Sequence, residues 1–146
     1  MAMAHDVDAR SPVSLRLLLV EDDPEVAAMY RLRLEMNGFV VELASDGESG
    51  LRAATENPPD LVFLDLRLPR MGGLELLVAL RAVEATRSLP VVILTAYDEP
   101  ESRRQGAELG ALDYLVKSQH TPSDLAGRVV SWVVEPTSPR GWCPEH

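Results

Sequence analysis

Five short apolar runs recur along the chain, and each is followed by a stretch with helical spacing. Residues 15–20 (LRLLLV), 39–44 (FVVELA), 61–64 (LVFL), 91–94 (VVIL, after Pro90) and 113–116 (DYLV) have strand length. Nearly continuous apolar runs suit strands buried on both faces. After the first run, Pro24 takes a position that favours a helix start, and Val26, Ala27, Tyr30 and Leu34 share one face until Asn37-Gly38 stops the pattern. Asp46 caps a second helix that carries Gly50, Leu51 and Ala54 and ends near Asn57-Pro58-Pro59. A strongly apolar helix runs from Leu74 to about Ala85, and a polar one from Glu99 to Leu109. Thr121-Pro122 opens a last helix with Leu125, Val129 and Trp132 on one stripe, Trp132 facing the core. Gly72-Gly73 reads as a tight loop that uses positive φ.

Strand and helix alternating five times predict an α/β fold: a flavodoxin-like, doubly wound, five-stranded parallel sheet of order 2-1-3-4-5 with five helices. Residues 1–14 read as a flexible leader, 15–135 as the domain and 136–146 as a Pro-rich tail holding Trp142 and Cys143.

The net charge of -9 disfavours a phosphate backbone as partner, so no nucleic acid is expected. No apolar run approaches the roughly 18 residues that span a bilayer, and the N-terminus lacks a secretory apolar segment. One cysteine allows no internal disulfide. A cytoplasmic protein without membrane partners is the expectation. The basic residues are thirteen arginines and one lysine, Lys117, which makes the position of that lysine informative.

Chemistry concentrates where the strands end. In a parallel sheet all the carboxyl ends share one edge, and ligands bind there. Asp22 and Asp23 follow the first strand, Asp65 the third, Thr95 closes the fourth and Lys117 follows the fifth. In the expected order these strands are contiguous. Each residue taken singly is ordinary: an Asp that turns or caps, a Thr at a strand end, a solvated lysine. Their joint placement is not. Clustered carboxylates repel one another unless a cation joins them, and an all-oxygen site suits Mg²⁺, or Mn²⁺. Asp23 and Asp65 are the expected direct ligands, with Asp22 acting through water and the backbone carbonyl of Arg67 completing the set. A metal, an ammonium and a hydroxyl around one carboxylate form a phosphoryl-transfer arrangement in which Asp65 is the nucleophile.

The segments LLLVEDDP, LVFLDLRLPRMGGLEL, PVVILTA and GALDYLVK, in this order and spacing, resemble the receiver domain of bacterial two-component response regulators, close to the stand-alone chemotaxis type. The resemblance implies a non-enzymatic regulator that catalyses only its own phosphorylation and slow dephosphorylation. It implies that a histidine kinase or histidine phosphotransfer protein donates a phosphoryl group to Asp65 with Mg²⁺. Asp22 and Asp23 correspond to the family's acid pair, Thr95 to its switch hydroxyl, Tyr114 to its switch aromatic and Lys117 to its lysine. Thr95 is then expected to move towards the phosphoryl group and Tyr114 to rotate inwards, reshaping the face of helix 4, strand 5 and helix 5 for a downstream protein target. Many relatives follow the lysine with a cis proline; Ser118 stands here, so the loop 118–120 is expected to be trans and differently shaped. Arg67 and Tyr97, two residues beyond Asp65 and Thr95, are expected to hinder water and set the lifetime of the phosphoryl group.

A dehalogenase-type phosphatase needs a second acid two residues after the nucleophile, where Arg67 stands. A nucleotide or flavin module needs glycines after the first strand, where Glu21-Asp22-Asp23 stand. A phosphorylation-independent interaction domain of the same fold is the alternative, disfavoured by the intact acid set. The chain also fits the receiver part of a longer regulator.

Overall fold

The structure, a computed structural model, describes residues 15–134. The expected leader and tail, with Trp142 and Cys143, lie outside the described residues. Within them the five runs form β1 (Arg16–Val20), β2 (Val40–Ala44), β3 (Leu61–Leu64), β4 (Val91–Thr95) and β5 (Asp113–Val116), all parallel, in the order β2-β1-β3-β4-β5. The helices are α1 (Pro24–Met36), α2 (Gly47–Glu56), α3 (Gly73–Ala82), α4 (Pro100–Glu108) and α5 (Pro122–Val134).

Strand residues alternate between two cores. Leu17, Leu19, Phe63, Val92 and Leu94 face α1 and α5, meeting Ala27, Tyr30, Leu34, Leu125, Val129 and Trp132. Leu18, Val20, Val62, Leu64 and Ile93 face the other side with Ala54, Leu76, Leu77 and Leu80. Trp132 is buried and meets the ring of Phe63 edge-on, with centroids 5.8 Å apart.

α3 ends about a turn earlier than its apolar spacing predicts, because Thr86 intervenes. Its fully buried hydroxyl donates to the carbonyl of Leu80 at 2.6 Å, and Val83 is already extended. This bond satisfies a carbonyl that the ended helix leaves without a partner. Thr86→Val keeps the volume but removes the donor, and it is expected to lower stability by about 1–2 kcal/mol in urea denaturation. An unchanged midpoint would show that the hydroxyl does not hold the turn.

The glycine expectation needs correction. Gly72 has φ -64 and Gly73 opens α3; the left-handed residue of this loop is Arg70, at φ 66. Its side chain pairs with Asp46 at 3.4 Å. Gly73 is instead required for space: a Cβ there would lie 2.2 Å from the carbonyl oxygen of Asp65. The start of α3 is thus pressed against the end of β3.

Candidate functional site

The sheet register sets the site. Val20 pairs with Leu64 and with Ala44, so the next residues of β1 and β3, Glu21 and Asp65, stand side by side at the carboxyl edge. Their backbone amides continue the ladder, Asp65 to Val20 at 3.1 Å and Glu21 to Ala44 at 2.9 Å. Thr95 pairs with Val116 on the other side of β3, and Lys117 follows.

Lys117 reaches back across this edge. Its Nζ donates to Asp65 Oδ2 at 2.9 Å and to Glu21 Oε1 at 2.5 Å. Both carboxylates are buried, at 6% and 4% exposure, so this ammonium is their charge partner in a low-dielectric setting. Burial raises the Glu21 pKa above the usual carboxylate range, against the opposing pull of Lys117. Burial works to lower the Lys117 pKa, but the hydrogen bonds to Glu21 and Asp65 outweigh it and the net shift is upward. The ammonium therefore stays charged at neutral pH. Asp65 Oδ1 accepts the backbone N–H of Arg67 at 3.1 Å.

The carboxylates that converge are Glu21, Asp22 and Asp65, whose ligand atoms lie within 4.8 Å of one another. This corrects the expected set. Asp23 is exposed and serves as the N-cap of α1, accepting from the backbone amides of Glu25 at 2.9 Å and Val26 at 3.3 Å. Capping commits its oxygen to the helix, and Glu21, one residue nearer the strand, occupies the place expected of it. The local signal was present in Asp-Pro-Glu at 23–25, a cap followed by proline at the first helical position. Glu21 also accepts the backbone amide of Asp23 at 3.1 Å, which stiffens the acidic turn.

Thr95 is buried at the end of β4. Tyr114 is buried as well: its hydroxyl donates to the carbonyl of Tyr97 at 2.8 Å and accepts from the amide of Glu99 at 3.4 Å, and the guanidinium of Arg103 lies 4.5 Å from its ring centroid. The ring is already inside, so the expected inward rotation is not a change left to make from this conformation. The exposed side chain of Arg67 turns to the β4–α4 loop, 4.4 Å from the ring centroid of Tyr97 and 2.6 Å from Glu99 Oε2. The peptide bonds around Lys117 and Ser118 are trans, and Lys117–Gln119 form one 3-10 turn. No helix among the described residues is long and apolar enough to cross a membrane.

The family model described as the response regulator receiver domain matches residues 17–129. The transcriptional regulatory protein PrrA of Mycobacterium tuberculosis is 42% identical over 112 residues, 77% of this chain and 46% of that protein. The phosphate regulon transcriptional regulatory protein PhoB of Escherichia coli is 40% identical over 114 residues, 78% of this chain and 49% of that protein. The chain spans about half the length of these curated relatives. Among solved structures, a putative response regulator from Chloroflexus aurantiacus is similar with a TM-score of 0.76 at 35% identity, covering 84% of this chain and 99% of that one. The receiver domain of a sensor histidine kinase from Pseudomonas aeruginosa, with a magnesium ion coordinated in its active site cleft, is similar with a TM-score of 0.74 at 30% identity, covering 83% and 98%.

Proposed function

Because the chain belongs to the response regulator receiver family, we propose that its state is set by a phosphoryl group carried on Asp65. The observation that carries this reading is the Lys117 ammonium 2.9 Å from Asp65 Oδ2, beside two further carboxylates. A histidine kinase or histidine phosphotransfer protein is the donor. A carboxylate oxygen of Asp65 bonds to phosphorus as the donor P–N bond breaks, and the electron pair stays on the histidine nitrogen.

Glu21, Asp22 and Asp65 suit Mg²⁺ or Mn²⁺ by the chemistry of the donor set: hard oxygens, closely spaced, with Asp22 open to solvent. A divalent ion held there would offset charge on the phosphoryl oxygens. The Lys117 ammonium, already bonded to Asp65, does the same, and Thr95 offers a hydroxyl donor. Lys117 holds Glu21 in this structure, so the ammonium exchanges part of its contact with Glu21 for the incoming phosphoryl oxygen. The new dianion then biases the packing of α4, β5 and α5, the face offered to a downstream protein target. The relatives PrrA and PhoB are named transcriptional regulatory proteins, which favours a second reading: these residues are the receiver part of a longer regulator. With a net charge of -9, DNA contact in such a regulator falls to other residues.

The test is intact mass after incubation with acetyl phosphate, with and without Mg²⁺. A gain of one phosphoryl group that disappears with chelator is expected. No gain under any condition would leave only the phosphorylation-independent interaction domain. The lifetime of that group is set in part by Arg67 and Tyr97, so Arg67→Ala is expected to dephosphorylate faster, and an unchanged or slower rate would remove them from this role.

A further inference from the structure

Glu99 stands at the N-cap of α4, yet its carboxylate makes no capping bond to the helix amides. It reaches across 32 positions in sequence to the guanidinium of Arg67, at 2.6 Å, while its other oxygen accepts the hydroxyl of Ser102 at 3.0 Å. The same guanidinium lies over the ring of Tyr97, 4.4 Å from its centroid. The backbone beneath is tied down by one buried side chain: the Tyr114 hydroxyl bonds both the carbonyl of Tyr97 and the amide of Glu99. The backbone of Arg67, in turn, donates to Asp65. An isolated exposed ion pair orders its partners poorly. Here both partners are held at a second point, Arg67 by an aromatic face and Glu99 by Ser102, so less freedom is lost when they pair.

We propose that Glu99 is a positioning residue for the hydrolysis of phosphorylated Asp65. It holds Arg67 over Tyr97 as a cover that joins the β3–α3 and β4–α4 loops beside the reacting carboxylate. This rests on the reading of Asp65 as phosphoacceptor. In the step concerned, water attacks phosphorus, the bond from phosphorus to the Asp65 oxygen breaks and its electron pair returns to the carboxylate. Inorganic phosphate leaves with one water proton, and the other passes to solvent. Glu99 touches none of these atoms. It acts by keeping Arg67 in the path of the water, and through Tyr114 it ties that cover to the β5 side of the domain.

The experiment loads wild type, Glu99→Gln, Arg67→Ala and the double variant with acetyl phosphate and Mg²⁺, removes the donor and follows the decay by intact mass. Glu99→Gln is expected to lose the group about threefold to tenfold faster than wild type, and the double variant no faster than Arg67→Ala alone. Because the pair is exposed, added salt should speed the decay of wild type and leave Glu99→Gln unaffected, while urea midpoints stay alike. Phosphorylated Glu99→Gln that decays at the wild-type rate, a full multiplied effect in the double variant, or a wild-type decay indifferent to salt would each overturn the assignment alone. Failure of every variant to accept a phosphoryl group would instead overturn the phosphoacceptor reading, and this assignment with it.

Discussion

Asp65→Asn is expected to take up no phosphoryl group from acetyl phosphate and Mg²⁺ under conditions in which the wild-type chain does so, as read by intact mass. The amide keeps the shape of the carboxylate but offers no anionic oxygen to phosphorus. The neighbouring acids do not replace it. Glu21 is held by Lys117 and by the amide of Asp23, and Asp22 is exposed to solvent. The same substitution should leave stability no lower than wild type in metal-free buffer. Three carboxylates within 4.8 Å of one another, balanced by a single ammonium, carry an excess negative charge that the amide reduces. A site arranged for chemistry often lies below its own stability optimum in this way. Wild-type levels of phosphoryl incorporation in Asp65→Asn would move the acceptor elsewhere. A clear drop in its urea midpoint would show that Asp65 is held chiefly as a structural partner of Lys117.

The fold was legible because its signals are local and repeated. Each strand is a short, mostly apolar run, and the stops between elements are chemically distinct: Asn37-Gly38, with Gly38 at φ 95, ends α1, and the Asp46 carboxylate caps α2 at the Ser49 amide. Convergence of Asp22, Asp65 and Lys117 followed from strand order alone. The misplacement of Asp23 is a one-residue matter. Three consecutive acids follow β1, and which of them turns inward depends on where the ladder stops and which is taken by the helix cap. Glu21 is buried because the amide after Val20 still pairs with Ala44. The early end of α3 depends on Thr86, whose role needs the carbonyl of Leu80 six residues away in a buried turn. The Arg67–Glu99 pair joins residues 32 apart through loops whose approach only the folded sheet sets. Pattern reading has no purchase on such contacts, since neither residue departs from ordinary surface composition.

Lys117→Ala is expected to slow phosphoryl uptake about a hundredfold or more, because it removes the charged donor nearest Asp65 from a largely buried site. It should also cost about 1–3 kcal/mol of stability at neutral pH, less than a fully buried pair because the lysine side chain keeps 18% exposure. The pH dependence separates this cost from simple loss of packing. Burial already holds the Glu21 pKa above its ordinary value, and Lys117 opposes that rise. Without the ammonium the folded-state pKa rises further. Between the unfolded and folded values the native chain then holds more protons than the unfolded one, so stability increases as pH falls through the folded value. The deficit of Lys117→Ala against wild type should therefore be largest near neutrality and shrink in mildly acidic buffer. In wild type the lysine pKa is itself raised, so its share of stability is complete below the ordinary lysine range and is lost only as alkaline pH passes the folded value. Urea denaturation of both proteins across this range decides the matter. A deficit that stays constant with pH would mean that the lysine side chain acts by its packing, and the charge balance drawn around Asp65 would fail with it.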